Sequence, residues 1–262
     1  MRLLITGASS GLGEALAREY HRRDPGVTLG LVGRRPAELQ RVADAVGNGQ
    51  VGCYPLDVND RGALAGAARD FIARFGLPDI VIASAGISHG TVTGDERHGE
   101  VFEKIIRTNL VAMFDTFAPF IAGMKQARHG CLVGIASVAG IRGMPGAGGY
   151  SASKAAVITY LESLRVELRD SGVQVVTIVP GYIRSPMTQG NAYRMPFLTD
   201  ADVFARTAAD AIAAGRSFTV IPWQMRIVAG ALRAMPNVLY DRLFARAPRK
   251  APLAAHESDP RS

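Results

Sequence analysis

Short runs of aliphatic and β-branched residues alternate along this chain with longer stretches in which apolar residues recur every three to four positions. Runs of the first kind predict strands, and the period of the second predicts amphipathic helices. Arg2–Thr6 reads as a buried strand, Gly11–Arg23 as a helix, Val27–Gly33 as a second strand, and Pro36–Val46 as a helix with proline in its first turn. Val51–Leu56, Asp79–Ala83, Cys131–Ala136, Val173–Val179 and Phe218–Pro222 supply five further strands. Among them lie an alanine-rich helix near Asp60–Phe75 and a long helix over Glu100–Lys125 with an awkward middle. The cleanest helix, Tyr150–Asp170, is stopped by Ser171-Gly172. Such alternation predicts parallel strands joined by right-handed crossovers, with helices on both faces. The expected fold is α/β, a doubly wound parallel sheet of about seven strands in a single domain over residues 1–245.

Composition narrows the class. At 48% apolar and 20% charged residues, the chain of 262 residues suits one ordinary globular core. The most apolar runs, such as Val173–Pro180, have strand length, so no stretch is expected to cross a membrane. Met1-Arg2 passes directly into Leu3-Leu4-Ile5 without the parts of a secretory signal, and a cytoplasmic protein is expected. Cys53 and Cys131 stand in apolar strand-like runs, which predicts buried free thiols. The histidines form no metal-ligand cluster, so no metal is expected. The formal charge of +7 is uneven, with Arg233, Arg242, Arg246, Arg249, Lys250 and Arg261 following Arg226. Aromatic–basic interleaving and nucleic-acid motifs are missing, so the expected anionic partners are phosphorylated small molecules and not nucleic acid.

The stretch Thr6-Gly7-Ala8-Ser9-Ser10-Gly11-Leu12-Gly13 joins the first strand to the first helix. Glycines there let the backbone turn tightly and approach a pyrophosphate resting on the N–H groups of the helix start. That position points to a dinucleotide site formed by Gly7, Ser9, Ser10, Gly11, Leu12 and Gly13. The end of the second strand selects the dinucleotide: an acid holds a ribose 2′-hydroxyl, whereas arginine pairs with a 2′-phosphate. Here Leu31-Val32-Gly33 runs into Arg34 and Arg35 with no acid, so NADP(H) is expected over NAD(H).

With the loop spaced TGxxxGxG and Tyr150-Ser151-Ala152-Ser153-Lys154 downstream, the chain resembles the short-chain dehydrogenase/reductase family. The likeness is to its short, single-domain Rossmann branch and runs from Met1 to about Met187. It implies hydride transfer between a nicotinamide cofactor and a carbonyl or alcohol carbon, with Tyr150 as proton donor or acceptor. Tyr150 and Lys154, four residues apart, share a helix face, and an ammonium near a phenol lowers the phenol pKa from about 10. The resemblance assigns Ser137, which ends Gly134-Ile135-Ala136-Ser137, to the substrate carbonyl. It assigns Asn109 to a water linking the lysine to solvent. Tyr150 and Lys154 also count as cofactor contacts. Asp57, beside Val58, matches the position that binds the adenine amino group, and capping of the next helix stands as a second role for it. Ala83-Ser84-Ala85-Gly86 matches a segment usually written NNAG. Ala85 and Gly86 still permit close approach to the ribose, but without the two asparagines the local hydrogen bonding is expected to differ. Pro180-Gly181 matches the turn before the nicotinamide-facing loop, with Ile183 near the ring and either Ser185 or Thr188 at the carboxamide.

Beyond Met187 the likeness thins. Residues 187–215 stand where the family carries its substrate lid, with Met187, Tyr193, Met195 and Phe197 as an apolar, adaptable wall for a carbonyl or alcohol substrate. Residues 223–245 mix apolar residues with spaced arginines, as amphipathic helices broken near Pro236. Packing on the domain or on a partner subunit is favoured over lying on anionic lipid. A mobile tail is expected over 246–262. Assembly as a homodimer or homotetramer through the long helices follows from the resemblance. Three functions compete: an NADP(H)-dependent oxidoreductase, a non-enzymatic NADP(H)-binding regulatory protein, and a structural member of a larger complex. The second predicts a broken catalytic set, whereas Asn109, Ser137, Tyr150 and Lys154 are all present.

Overall fold

In the computed structural model, which describes residues 1–47, 50–189 and 194–245, the chain begins β1 (Arg2–Thr6), α1 (Gly11–Arg23), β2 (Thr28–Gly33), α2 (Pro36–Ala45), β3 (Val51–Pro55) and α3 (Arg61–Phe75). It continues through β4 (Ile80–Ala83), α4 (Gly99–Ile106), α5 (Ala112–Ala127), β5 (Gly130–Ile135), α6 (Gly148–Glu167) and β6 (Val173–Pro180). The short strands β7 (Ile183–Arg184) and β8 (Thr199–Asp200) precede α7 (Ala201–Ala213), β9 (Phe218–Ile221), α8 (Trp223–Ala234) and α9 (Asn237–Phe244).

Seven strands pair in parallel in the order β3-β2-β1-β4-β5-β6-β9, so the order turns back between β1 and β4. Successive strand residues face opposite sides. Leu3 and Ile5 therefore enter a layer with Leu16, Tyr20, Leu39 and Phe204 of α1, α2 and α7. Leu4 enters the opposite layer with Phe71, Phe117 and Leu161 of α3, α5 and α6. Both faces are covered, which is why β2 and β5 are buried throughout. Cys131 of β5 is buried and its thiol is pushed up to about 12 by burial, while Cys53 of β3 is half-buried; both are free.

The awkward middle of the long helix is a π turn over Arg107–Val111, joining α4 to α5 and carrying the fully buried Asn109. Helical structure is continuous over Glu96–Ala127, and this stretch is long and apolar enough by composition to cross a membrane, contrary to the expectation from strand-length runs. Part of it serves the core: Phe117, Phe120 and Met124 are buried in the layer shared with α3 and α6, whereas Phe102 and Phe114 are exposed.

The span expected to carry the lid, 187–215, includes a core element. α7 falls inside that span, yet it is a core helix, with Phe204, Ala205 and Ala208 buried in the α1–α2 layer. Met187 and Phe197 of the preceding stretch are 42% and 49% exposed. Tyr193 and the expected tail 246–262 lie outside the described residues.

Charge ties α7 to α1. Glu19, buried on α1, accepts from Arg22 Nε at 2.8 Å and from Arg23 Nε at 2.7 Å. Arg23 also donates to Asp210 Oδ1 at 2.7 Å and to the Arg206 carbonyl at 2.9 Å. Hydrogen bonding from Arg22 and Arg23 outweighs desolvation and holds the Glu19 carboxyl at about 2. A carboxylate whose pKa is depressed on folding adds stability that is present above its unfolded value and disappears as pH falls through its folded value. With Arg22 largely in solvent, we expect Glu19→Gln to cost about 2 kcal/mol at neutral pH, about 5 °C in Tm. Wild type and variant should converge in urea unfolding as pH falls from about 5 to about 2. A gap independent of pH would remove the ion pair as its cause.

α8 and α9 pack on their own domain through Met225, Ala229 and Tyr240, the arrangement favoured from the sequence. Arg142 secures them. Its guanidinium donates to the Leu232 and Met235 carbonyls at 2.7 Å each and to Asn237 Oδ1 at 2.9 Å. It also lies over the Tyr240 ring, whose hydroxyl donates to the Gly143 carbonyl.

Candidate active site

The β1–α1 turn is shaped by close backbone approach. Gly7 takes a left-handed φ of +70°, and a Cβ there would stand 2.9 Å from the backbone of Ala85. A Cβ on Gly13 would meet the Gly7 carbonyl oxygen at 2.3 Å, so α1 can back onto β1 only without one. Ser10 gives α1 no side-chain cap, which leaves the first N–H groups of the helix to a ligand. Around this turn lies a cleft of about 350 Å³, at the carboxyl ends of the strands where the sheet order turns back. That is the place where doubly wound sheets bind ligands.

Residues named from the sequence meet there. Gly7, Ser9, Ser10, Gly11, Leu12 and Gly13 form the floor. Arg34 and Arg35 stand exposed at the end of β2, Arg35 with Nη2 3.3 Å from Ser9 Oγ. Asp57 and Val58 line the cleft, and Asp57 Oδ1 accepts from the Asn59 backbone and side-chain N–H groups at 2.9 Å each. Capping of α3 belongs to Asp60, whose Oδ1 accepts from Ala63 N at 2.9 Å, so Asp57 is not the cap. Ala85 and Gly86 line the opposite side. With both asparagines of that segment absent, Thr6 does the bracing: its hydroxyl accepts from the N–H groups of Ser84 and Ala85 at 3.2 Å each.

Ser185 also lines the cleft, whereas Thr188 turns into its own loop, donating to the Ile183 carbonyl at 2.7 Å. Five expected cofactor contacts are not among the residues lining this cleft: Tyr150 and Lys154, which stand beside it, and Pro180, Gly181 and Ile183. Pro180 is the buried end of β6, and Ile183 is 3% exposed inside the α1–α7 core layer. A Cβ on Gly181 would stand 2.7 Å from Met225 Cγ, so its smallness admits α8. Conversely, Lys104 and Thr108 line the cleft unannounced. No motif marks them; they are there because the fold lays this helix along the cleft.

The residues expected from the sequence to be catalytic assemble beside Gly86. Ser137 follows β5 and opens a short 3₁₀ turn, its Oγ accepting from Ala139 N at 3.2 Å. The Tyr150 hydroxyl, in the first turn of α6, hydrogen-bonds the Ser137 side chain. One turn on, Lys154 is 4% exposed, with Nζ donating to the Ile135 carbonyl at 2.8 Å. A Cβ added to Gly86 would lie 3.6 Å from that Nζ and 3.2 Å from Asn109 Oδ1, so this glycine is the junction between cleft and catalytic group. The Asn109 amide braces the segment after Gly86. Oδ1 accepts from Ile87 N at 2.8 Å, and Nδ2 donates to the Ile87 carbonyl at 3.0 Å and to Ser153 Oγ at 2.9 Å.

The model of the short chain dehydrogenase family matches residues 2–195, well over half of the chain. The chain belongs to the short-chain dehydrogenase family. One relative, an uncharacterized oxidoreductase of Myxococcus xanthus, is 38% identical over 240 residues, covering 91% of this chain and 94% of its own. A 2-dehydro-3-deoxy-L-rhamnonate dehydrogenase (NAD(+)) of Sphingomonas is 37% identical over 185 residues, 70% of this chain and 72% of its own. The crystal structure of a 3-ketoacyl-ACP reductase from Sinorhizobium meliloti superimposes with a TM-score of 0.76 at 28% identity, over 84% of this chain and 97% of that one.

In this short-chain dehydrogenase, burial governs both titrating partners. It raises the Tyr150 phenol above its ordinary value, against a smaller downward pull from the Ser137 hydrogen bond. It brings the Lys154 ammonium down to about 8. The expected lowering of the phenol by the ammonium is thus not the dominant effect. Lys154 is engaged with the Ile135 carbonyl, its Nζ 5.9 Å from the Tyr150 ring centroid, and desolvation is the stronger influence on each group. The short-chain dehydrogenase has four lysines, Lys104, Lys125, Lys154 and Lys250, which keeps their NMR signals separable. One lysine ¹³Cε resonance is expected to titrate with a midpoint of about 8 and to be missing in Lys154→Arg. Four midpoints all near the ordinary value of about 10.4 would show that Lys154 is solvated.

Proposed function

We propose that this protein is an NADP(H)-dependent oxidoreductase interconverting a ketone or aldehyde and an alcohol, with Tyr150 as general acid in reduction and general base in oxidation. One observation carries it: the Ser137–Tyr150–Lys154 group meets, at Gly86, a cleft whose rim bears two arginines and no acid at the end of β2. The glycine floor and uncapped helix start fit a pyrophosphate, and Arg34 fits a 2′-phosphate, having no carboxylate partner among the described residues. A bound nicotinamide would supply or accept the hydride. The chain's own residues do the rest. The Ser137 hydroxyl orients the carbonyl oxygen, and Tyr150 passes its proton to that oxygen as negative charge develops. Lys154, charged below about pH 8, offsets the negative charge that the phenol carries in either direction of the reaction. Exposed Phe102, Phe114 and Val166 on α4, α5 and α6 support assembly as a homodimer or homotetramer through these helices.

Titration with NADPH and NADH, followed by nicotinamide fluorescence, tests the cofactor assignment. NADPH is expected to bind the more tightly. Arg34→Ala should weaken it by about tenfold to a hundredfold, the value of a charge-assisted hydrogen bond, and leave NADH nearly unchanged. Equal affinity for both, as the Sphingomonas relative's NAD(+) makes conceivable, would overturn NADP(H) but not the chemistry. Binding of neither would overturn the enzyme.

A further inference from the structure

The proposed chemistry leaves one side of the C-terminal helix pair without a role, and exposed apolar surface is concentrated there. Trp223 and Ile227 of α8 are 66% and 64% exposed, and Val238, Leu239 and Leu243 of α9 are 65%, 48% and 59%. Trp223 and Ile227, like Leu239 and Leu243, are one helical turn apart and so share a face. Single exposed apolar residues are ordinary, but five on two adjoining helices that are already anchored through Met225, Ala229 and Tyr240 are not.

The charges interspersed with them have one sign. Arg226, Arg233 and Arg242 are exposed, and none pairs with a carboxylate among the described residues. Asp241 is the single acid between Trp223 and Phe244, and in the sequence Arg246, Arg249 and Lys250 precede the next one, Glu257. A two-fold contact with a second copy would set this cationic face against itself. An apolar surface flanked by unpaired cations instead matches the headgroup region of a bilayer rich in anionic lipid, which is apolar below and negative above. We propose that α8 and α9 form a platform by which this protein sits on such a surface. Arg142, in the loop after Ser137, holds the carbonyl end of α8, so the platform is tied directly to the catalytic edge of the sheet.

Trp223 is the only tryptophan in the chain, so its emission reports on this face alone. The full-length protein is mixed with vesicles of phosphatidylcholine, with and without phosphatidylglycerol. A blue shift and co-sedimentation are expected with the anionic vesicles only, both reversed by high salt. The double variant Arg226→Glu/Arg242→Glu should lower the partition coefficient at least about tenfold, each cation near an anionic surface being worth about fivefold. Ile227→Glu should abolish the blue shift, and dinucleotide affinity should be unchanged in both variants, which separates this test from that of the oxidoreductase. No shift, or equal binding to neutral vesicles, overturns the proposal. A shift that grows with protein concentration in the absence of vesicles, with a doubling of mass in light scattering, also overturns it and assigns the face to a second copy.

Discussion

Tyr150→Phe is expected to bind NADPH like the unaltered protein and to lose turnover by about three orders of magnitude, the middle of what a positioned general acid supplies. That corresponds to about 4 kcal/mol of transition-state stabilisation removed with one oxygen atom. The structure explains why the change should be clean. The ring keeps its place in the first turn of α6, and the hydroxyl's partner, Ser137 Oγ, retains the N–H of Ala139. No polar group loses its last partner, so folding stability should change by no more than about 1 kcal/mol. Steady-state reduction of a ketone selected with the unaltered protein, set beside NADPH fluorescence titration of the variant, decides the matter. Turnover within about tenfold of wild type would remove Tyr150 as the proton donor, because no remaining group could supply the usual factor. A matching loss of NADPH affinity would instead make the hydroxyl part of the dinucleotide site.

Much of this architecture was legible in the sequence because the signals are local. Alternation in β1 sends Leu3 and Ile5 one way and Leu4 the other, and the sheet's two layers follow from repeating that pattern. The glycine loop was legible for the same reason, since Gly7 and Gly13 answer to backbone contacts within the β1–α1 turn or the segment beside it, and Gly11 to a left-handed φ of +60°. What the sequence did not show depends on what lies across the fold. Gly181 and Ile183 sit at the expected positions after β6, but one makes room for Met225 and the other fills the layer with α7. Periodicity reports that a residue is buried without reporting against what. The same blindness extended the lid over α7, a core helix, and missed Lys104, whose presence in the cleft depends on where α4 is laid. The Tyr150–Lys154 spacing was read correctly as one helix face, yet the balance between attraction and desolvation depends on the burial of both groups, which no spacing reveals.

Asn109 has a structural role beside the one that the resemblance implies, and it supports the second large prediction. Resemblance gave it a water to hold. Its nitrogen has no donor left, since it donates to the Ile87 carbonyl and to Ser153 Oγ, while the oxygen accepts from Ile87 N and keeps one lone pair. Asn109→Ala would leave two backbone groups of Ile87 without these partners next to the cleft, at about 1–3 kcal/mol for each buried group. A loss of about 3 kcal/mol is expected, lowering Tm by about 10 °C for a chain of this size. Dinucleotide binding should weaken with it, since Ile87 and Gly86 both line the cleft. Asn109→Asp separates the two roles. It preserves shape and the acceptor for Ile87 N, but it loses both donors and buries a charge, so it should be as destabilised as the alanine variant. If the amide served only a proton relay, both variants would keep the wild-type Tm and NADPH affinity and lose kcat alone. Thermal unfolding beside fluorescence titration distinguishes these outcomes before any substrate is known.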